Sequence, residues 1–207
     1  IGDSLLMPSP RQQQEFDFLS ADLGYEYGEN RSIEGVPYTK HFALSGMCAQ
    51  SVLFMAGALM QPHCKSVLGI AELSFFASPS ALGEFHMGGL GGSAIRKVAK
   101  EALGLNVEVQ RTAGYADEND LGHALGLYLR AGFPVIVPVN LGELARTGIY
   151  DQMNYRMPEK WTDEQHAVLA IGITRDNKRI LFQDPATRPF LDCLLYTSPS
   201  PRDIGES

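Results

Sequence analysis

The sequence predicts an α+β fold, in which an N-terminal helical half packs on a C-terminal antiparallel sheet. Segments with helical periodicity come first along the chain, and apolar runs typical of strands gather after residue 133. The run Arg175-Asp176-Asn177-Lys178 separates two of these strands and is typical of a hairpin turn. The two strands that flank this turn are therefore predicted to lie side by side and antiparallel.

The N-terminal part predicts an arm followed by two helices. Residues 1–40 are polar and contain several prolines, so they predict an irregular N-terminal arm. A first helix is predicted over residues 45–60, where an apolar run ends shortly before Pro62. Ser93 is a candidate cap for a second helix, in which apolar residues recur on one face until Gly104.

The C-terminal part contains the predicted strands. Residues 106–110 alternate like a short strand, and a third helix over residues 120–131 leads into a buried strand over residues 134–139. The long connection over residues 140–165 contains three large aromatic residues, Tyr150, Tyr155 and Trp161. It is predicted to be either a wall of a binding cleft or a surface excursion.

Composition limits the class of protein. The chain has 207 residues, of which 44% are apolar and 20% charged, which is enough for one substantial core. Its net charge of −7 and its lack of a basic run argue against nucleic-acid binding, since phosphates need cationic partners. No apolar run approaches the roughly 18 residues needed to cross a bilayer, so stable membrane insertion is not expected.

The chain is predicted to contain one domain, over residues 41–191. From residue 192 onward the pattern changes, and Ser198-Pro199-Ser200-Pro201 lies in a run that resembles translated vector sequence. Residues 192–207 are therefore predicted to be a non-native tail. Native sequence would then stop soon after Asp184, and closing strands of the sheet would be missing.

Cys48 is the strongest candidate for a reactive residue. The three cysteines are odd in number and unevenly spaced, which does not indicate a disulfide framework. Cys48 stands where a turn gives way to the apolar run of the first helix, so its sulfur is predicted to lie in the first helical turn. Free N–H groups and the helix dipole stabilise a thiolate there, which is the nucleophilic form of cysteine.

His166 and Asp184 are the candidates for a base and its orienting group. His166 opens one predicted strand and Asp184 closes the next, so the imidazole and the carboxylate would lie on adjacent antiparallel strands. With the thiol of Cys48 packed against them, they would form the site of a Cys-His-Asp hydrolase.

From Cys48 to Phe190 the chain resembles the papain-like cysteine peptidases, most closely the branch of bacteriocin-leader-processing, double-glycine peptidase domains. The shared features are a Cys at a helix start, a Leu-rich helix leading into residues 132–137, a His followed by an apolar strand, and an Asp-Pro pair. The resemblance implies a thiol protease that cleaves a peptide or protein substrate without a metal or organic cofactor. It makes Cys48 the nucleophile, His166 the general base and acid, and Asp184 the residue that fixes the His tautomer.

The chain departs from this family at Phe42. Such peptidases usually have a Gln six residues before the Cys, which donates a hydrogen bond to the oxyanion, whereas this chain has Phe42 with His41 beside it. The backbone N–H of Cys48 would supply one donor, and Gln50 lies on the wrong side of the nucleophile to supply another. The alternative is therefore a catalytically inactive papain-like domain that binds peptides.

A glycine-rich loop predicts a different chemistry. Residues 89–94 fit the fingerprint of a dinucleotide-binding loop, and Glu108 follows near the distance expected for a ribose contact. The fingerprint residues would be Gly89, Gly91 and Ala94. The preceding segment makes a poor buried strand, because Glu84 and His86 interrupt it. A loop that simply precedes a helix is the preferred interpretation.

Two weaker motifs complete the candidates. Ser4 and His166 stand in short blocks that resemble those of GDSL esterases, but no buried strand precedes Ser4 and a strand, not a helix, follows His166. His63 and Cys64 are adjacent, yet no set of histidines and cysteines has the spacing of a structural zinc site, so no metal is expected.

Overall fold

The structure, a computed structural model, describes residues 3–27, 29–40, 47–65, 68–77, 90–111, 114–140, 142 and 165–195. Within these ranges, helices combine with antiparallel sheets in a mixed α+β architecture, which confirms the predicted α+β class. Among the same residues, no helix is both long enough and apolar enough to cross a bilayer.

Eight strands and five α-helices are found in the described part of the chain. The strands are β1 (Asp3–Leu6), β2 (Phe16–Phe18), β3 (Ala21–Tyr27), β4 (Glu29–Thr39), β5 (Val135–Asn140), β6 (Gln165–Thr174), β7 (Arg179–Gln183) and β8 (Leu191–Leu194). The helices are α1 (Pro10–Glu15), α2 (Cys48–Leu59), α3 (Ile70–Ala77), α4 (Gly92–Val98) and α5 (Glu118–Arg130). A π-helical turn, Ala99–Leu103, continues α4 and ends at Gly104, whose φ of 73° suits glycine.

The central sheet is built around β6. Strand β7 pairs along one edge of β6 and β8 pairs with β7, while β5 and β2 follow one another along the other edge. Gly172 of β6 permits the close approach of β2, because a Cβ there would lie 2.8 Å from the Cβ of Phe18. Every residue of β6 after Gln165 is buried, which explains its uninterrupted apolar run.

The register of β6 and β7 positions the predicted base and carboxylate. Leu169 pairs with Gln183, so the next step of the same register sets Asp184 opposite Val168. His166 lies near the start of β6 and Asp184 directly follows β7, so this pairing sets the two residues near the same end of the two strands.

Helices cover both faces of this sheet. Helix α2 packs on one face in a cluster that includes Ala167, Leu169 and Leu181, and α5 packs on the other face against Val168. Helices α3 and α4 pack against the outer side of α2, so its residues from Cys48 to Ala58 are buried except Phe54. Helices α2 and α4 correspond to the first two helices predicted from the sequence.

The first 40 residues differ from the predicted irregular arm. Strands β1, β4 and β3 form a three-stranded antiparallel sheet in that order, and α1 lies between β1 and β2. Val36 and Tyr38 of β4 are buried in the cluster that surrounds α2, so contacts distant along the chain hold this segment. The local pattern did not predict these strands, because Pro37 and the polar run over residues 29–32 are both unfavourable signs for a strand.

Three other segments also differ from the predictions. Residues 104–111 contain no strand although residues 106–110 alternate, and α3 lies where no element was predicted. Leu191–Leu194 forms β8, in which Cys193 is buried. The side chain of Asp192 forms an ion pair with that of Arg179 on β7. Residues 196–207 lie outside the described residues, so a non-native origin of the segment from residue 192 stays a prediction.

Candidate active site

The structure brings Cys48, His166 and Asp184 together at one end of the central sheet. Cys48 is the first residue of α2, and the preceding residue Met47 makes no side-chain capping bond to the free N–H groups of the helix. His166 is the second residue of β6, and Asp184 directly follows β7. One helix start and two strand ends therefore supply the three predicted site residues.

A short hydrogen bond joins the imidazole to the carboxylate. Nε2 of His166 lies 2.7 Å from Oδ1 of Asp184, and both side chains are buried. An ionised carboxylate only accepts hydrogen bonds, so Nε2 carries a proton and donates it to Oδ1. This bond fixes the orientation of the ring and leaves Nδ1 for the third group.

The thiol of Cys48 lies beside the same imidazole, whose hydrogen bonding and charge lower the pKa of the thiol. Because Asp184 occupies Nε2, Nδ1 is the ring nitrogen that serves the sulfur. The exposed fraction falls along the chain of groups, from 9% for Cys48 through 4% for His166 to 0% for Asp184. Cys48 is thus the most exposed of the three residues.

The charges of the site favour a thiolate beside an imidazolium. Burial raises the pKa of the Cys48 thiol, but the hydrogen bond and charge of His166, with the backbone N–H groups of Ala167 and Ala49, outweigh burial and lower it. Burial lowers the pKa of His166, but the Asp184 carboxylate and the Cys48 sulfur outweigh this and raise it to about 10. A proton shared by the two groups therefore resides preferentially on the ring nitrogen rather than on the sulfur.

The carboxyl group of Asp184 remains ionised although it is fully buried. Burial raises its pKa, but the charge and hydrogen bond of His166, together with bonds from Thr187 and Ala186, lower it below its usual range. Oδ1 also accepts from the backbone N–H of Ala186 at 2.9 Å, and Oδ2 accepts from Oγ1 of Thr187 at 2.7 Å. Each carboxylate oxygen thus has at least one donor.

The pKa of the thiol is raised, and not lowered, at the other two cysteines. Cys64 is half-buried, its Sγ donates to the carbonyl of Gly57 at 3.3 Å, and burial raises its pKa. Burial and the charges of Asp192 and Asp184 raise the pKa of Cys193 to about 12. Cys48 is the one cysteine of the three whose pKa is lowered, so a thiolate is expected there first.

Two residues of this site were not singled out from the sequence. Thr187 lies three residues after Asp184 and donates to its side chain, and Tyr38 of β4 donates to the Asp184 carbonyl at 3.2 Å. The signal for Thr187 was present, since an Asp followed closely by a Thr is typical of turns closed by side-chain hydrogen bonds. Tyr38 had no such local signal, because its partner lies 146 residues away.

The residues considered for the oxyanion site lie only partly within the described part of the chain. Phe42 and His41 lie outside the described residues. Gln50 is fully buried, and within the described ranges its side-chain amide has no hydrogen-bond partner. Most of the long connection, residues 143–164, which was predicted to be a cleft wall or a surface excursion, also lies outside the described residues.

The geometry gives little support to the dinucleotide-binding loop. Gly89 lies outside the described residues, and Gly91 and Ala94 belong to the start of α4, in the helical layer. Dinucleotide-binding loops join a parallel strand to a helix, whereas all pairings among the described strands are antiparallel. Glu108 lies in a segment without a strand and accepts a hydrogen bond from Gln110.

The esterase and metal motifs are not assembled in the described part of the chain. Ser4 is exposed on β1, while the ring of His166 is engaged with Asp184 and Cys48. Within the described ranges, no three side chains among histidines, cysteines and acids are grouped as metal ligands.

Comparison of the chain with protein-family models, curated proteins and solved structures gave no match. A function therefore has to be argued from the residues themselves and from their geometry.

Proposed function

We propose that this chain is a papain-like cysteine hydrolase that cleaves peptide bonds. One observation carries the proposal: a thiol with a lowered pKa lies beside an imidazole, and the ring is hydrogen-bonded to a buried carboxylate at 2.7 Å. Activation of a nucleophile by a base that a third group orients is the general pattern of covalent hydrolases. The order Cys48, His166, Asp184 along the chain, with the Cys on a helix and the other two on a sheet, supports the papain-like assignment.

Acylation uses the ion pair between Cys48 and His166. The thiolate attacks the carbonyl carbon of a peptide bond, a C–S bond forms, and the carbonyl electron pair moves to oxygen. Backbone N–H groups at the start of α2, including that of Cys48, are candidates to stabilise the oxyanion. The oxyanion then collapses, the C–N bond breaks, and His166 gives the Nδ1 proton to the leaving amine.

Deacylation reverses these roles. His166, now neutral at Nδ1, takes a proton from a water molecule whose oxygen attacks the thioester carbonyl. The C–S bond breaks, the carboxylic acid leaves, and thiolate and imidazolium are restored. Asp184 keeps the proton of Nε2 in place throughout, so that Nδ1 stays aimed at the sulfur. The same acyl-enzyme would transfer its acyl group to an amine if an amine took the place of water.

The proposal is tested by the reactivity of Cys48 and by peptide cleavage in the same preparations. Iodoacetamide labelling near pH 7, followed by peptide mapping, is expected to modify Cys48 much faster than Cys64. His166→Ala is expected to slow labelling of Cys48 without affecting Cys64. A mixture of synthetic peptides, analysed by mass spectrometry, is expected to be cleaved by the wild-type chain and by Cys64→Ala, and not by Cys48→Ala.

The outcomes separate the candidate functions. Equal and slow labelling of Cys48 and Cys64 would overturn the hydrolase. Fast labelling of Cys48 with peptide binding but no cleavage would favour the inactive peptide-binding domain. This alternative comes from Phe42, which stands where such peptidases usually have a Gln. Tight binding of NAD with an unreactive Cys48 would favour the dinucleotide-binding alternative.

A further inference from the structure

We propose that Thr187 is a positioning residue that holds the Asp184 carboxylate in the orientation needed by His166. The inference rests on the proposed hydrolase, because it assigns a role in orienting the same imidazole. Oγ1 of Thr187 donates to Oδ2 of Asp184 at 2.7 Å, while Oδ1 accepts from Nε2 of His166 at the same distance. The two carboxylate oxygens are thus bound from opposite sides, by Thr187 and by the catalytic ring.

A carboxylate held by only one oxygen can rotate about its bond to Cβ. The N–H of Ala186 and Nε2 of His166 both bind Oδ1, whereas the hydroxyl of Thr187 holds Oδ2. Rotation of the carboxylate would lengthen or bend the bond to Nε2, and the ring would lose the restraint that aims Nδ1 at Cys48. Ordering by a neighbouring hydrogen bond is how supporting residues act on groups that react.

The loop that carries Thr187 is itself held at both ends. At its start, the Asp184 carbonyl accepts from Thr187 N at 3.3 Å and from the hydroxyl of Tyr38 at 3.2 Å. At its end, Phe190 donates to Oε1 of Gln183 at 3.2 Å and accepts from Nε2 of Gln12 at 3.1 Å. The hydroxyl of Thr187 is therefore presented to the carboxylate by a restrained backbone.

The charged and titratable surroundings give the hydrogen bond a measurable effect. Among the described residues, the titratable groups near the carboxyl include His166 on β6, Tyr38 on β4 and Cys193 on β8, with Cys48 on α2 beyond the ring, and Arg188 lies in the same loop as Asp184. Tyr38 and Cys193 are neutral near pH 7, since burial raises the pKa of both groups. Loss of the Thr187 bond would destabilise the carboxylate and, through it, the imidazolium and the thiolate.

The test is the pH dependence of Cys48 alkylation by iodoacetamide in Thr187→Val, a replacement of similar shape without the hydroxyl. Alkylation at pH 6 is expected to be roughly tenfold slower than in the wild-type chain, in keeping with the size of a hydrogen bond to a charged group. The acid limb of the rate profile is expected to move to higher pH. Thr187→Ser, which restores a hydroxyl, is expected to restore the profile, whereas Thr187→Ala should behave like the valine variant.

Thr174→Val is the matched control. Oγ1 of Thr174 donates to Oδ1 of Asp176 at 2.6 Å, so this variant also removes a Thr-to-Asp hydrogen bond. Thr174 lies eight residues from His166 along β6, which is about 26 Å at the usual rise of a strand. Thr174→Val is expected to leave the alkylation profile unchanged, and the far-UV circular dichroism of every variant is expected to match that of the wild-type chain.

The outcomes distinguish the role of Thr187 from the proposed function itself. If wild-type Cys48 is reactive and the Thr187→Val and Thr187→Ala profiles match the wild-type profile, the positioning role is wrong and the hydrolase stands. A shift in Thr187→Val that serine fails to restore, or that Thr174→Val reproduces, would also overturn the positioning role. If wild-type Cys48 reacts no faster than Cys64, the positioning role and the hydrolase fail together.

Discussion

At the scale of single residues, three cysteines in one chain show how the surroundings of a thiol change its pKa. Burial raises the pKa of Cys64 and Cys193, which are chemically the same group as Cys48. Cys48 is also buried, yet the neighbouring imidazole and two backbone N–H groups outweigh burial and lower its pKa. A helix start alone is a weak indicator of a nucleophilic cysteine. A charged partner beside the thiol makes the indication stronger.

Two roles are proposed for His166: it stabilises the thiolate, and it donates a proton to the leaving amine. The two roles are expected to depend differently on pH. The lowered pKa of Cys48 and the raised pKa of His166, about 10, define a range in which thiolate and imidazolium coexist. Cleavage needs the imidazolium proton for the leaving amine, so kcat/KM for a peptide is expected to rise as Cys48 ionises and to fall as pH passes about 10. Alkylation needs only the thiolate and is expected to persist above that pH.

Parallel rate profiles with iodoacetamide and with a cleaved peptide measure this difference. His166→Gln serves as the control. Without the imidazole, Cys48 should react only as the pH approaches the pKa of an ordinary cysteine thiol, which is about 8.5 or higher. A wild-type alkylation profile that coincides with the His166→Gln profile would contradict the ion pair.

At the scale of elements, helix α5 shows how close packing selects glycine. Gly122 and Gly126 are both buried and lie one turn apart on the side of α5 that faces the hairpin turn between β6 and β7. A Cβ at Gly122 would lie 2.7 Å from the backbone oxygen of Asn177 and 2.8 Å from Leu195. A Cβ at Gly126 would meet only the ends of flexible side chains, those of Asn177 and Arg130.

Alanine is therefore expected to have unequal effects on stability at these two positions. Both changes gain helix propensity, up to about 1 kcal/mol each. Gly122→Ala is nevertheless expected to lower the free energy of unfolding by about 1–3 kcal/mol, because the backbone of the hairpin turn must move. Gly126→Ala is expected to remain within about 1 kcal/mol of the wild-type chain, because side-chain ends can yield. Urea unfolding followed by circular dichroism measures both, and equal effects would contradict the packing of α5 on the turn.

The elements that the sequence predicted well are those with a complete local signal. The hairpin of β6 and β7 was predicted because its apolar runs flank a polar turn, and Asn177 adopts a φ of 59° that such turn residues tolerate. Helix α5 was predicted from residue 120, and it begins two residues earlier, at Glu118, where the Asp117 side chain accepts from the backbone N–H groups of Asn119 and Asp120. Strands β1, β3 and β4 were not predicted, because they are held by pairing and burial that local periodicity does not register.

At the scale of the whole molecule, the candidate site depends on segments from most of the chain. Tyr38 comes from β4, Cys48 from α2, His166 from β6, and Asp184 and Thr187 from the loop after β7. The three residues with the proposed catalytic roles could be selected from the sequence, because each stands at a recognisable helix or strand end. Tyr38 could not be selected, because its contact depends on a strand that only the folded core specifies.

The folded core extends past residue 191 into the last described residues. Leu195 lies within the segment predicted to be a non-native tail, yet it is 7% exposed and belongs to the cluster under α5. Leu195→Ala is expected to lower the free energy of unfolding by about 2–5 kcal/mol, because it leaves a cavity in that cluster. Leu127→Ala on α5 is the matched control, since Leu127 is 60% exposed and its truncation is expected to change stability by less than about 0.5 kcal/mol. Urea unfolding midpoints of both variants measure the difference. Similar small shifts for Leu195→Ala and Leu127→Ala would contradict a contribution of Leu195 to the core.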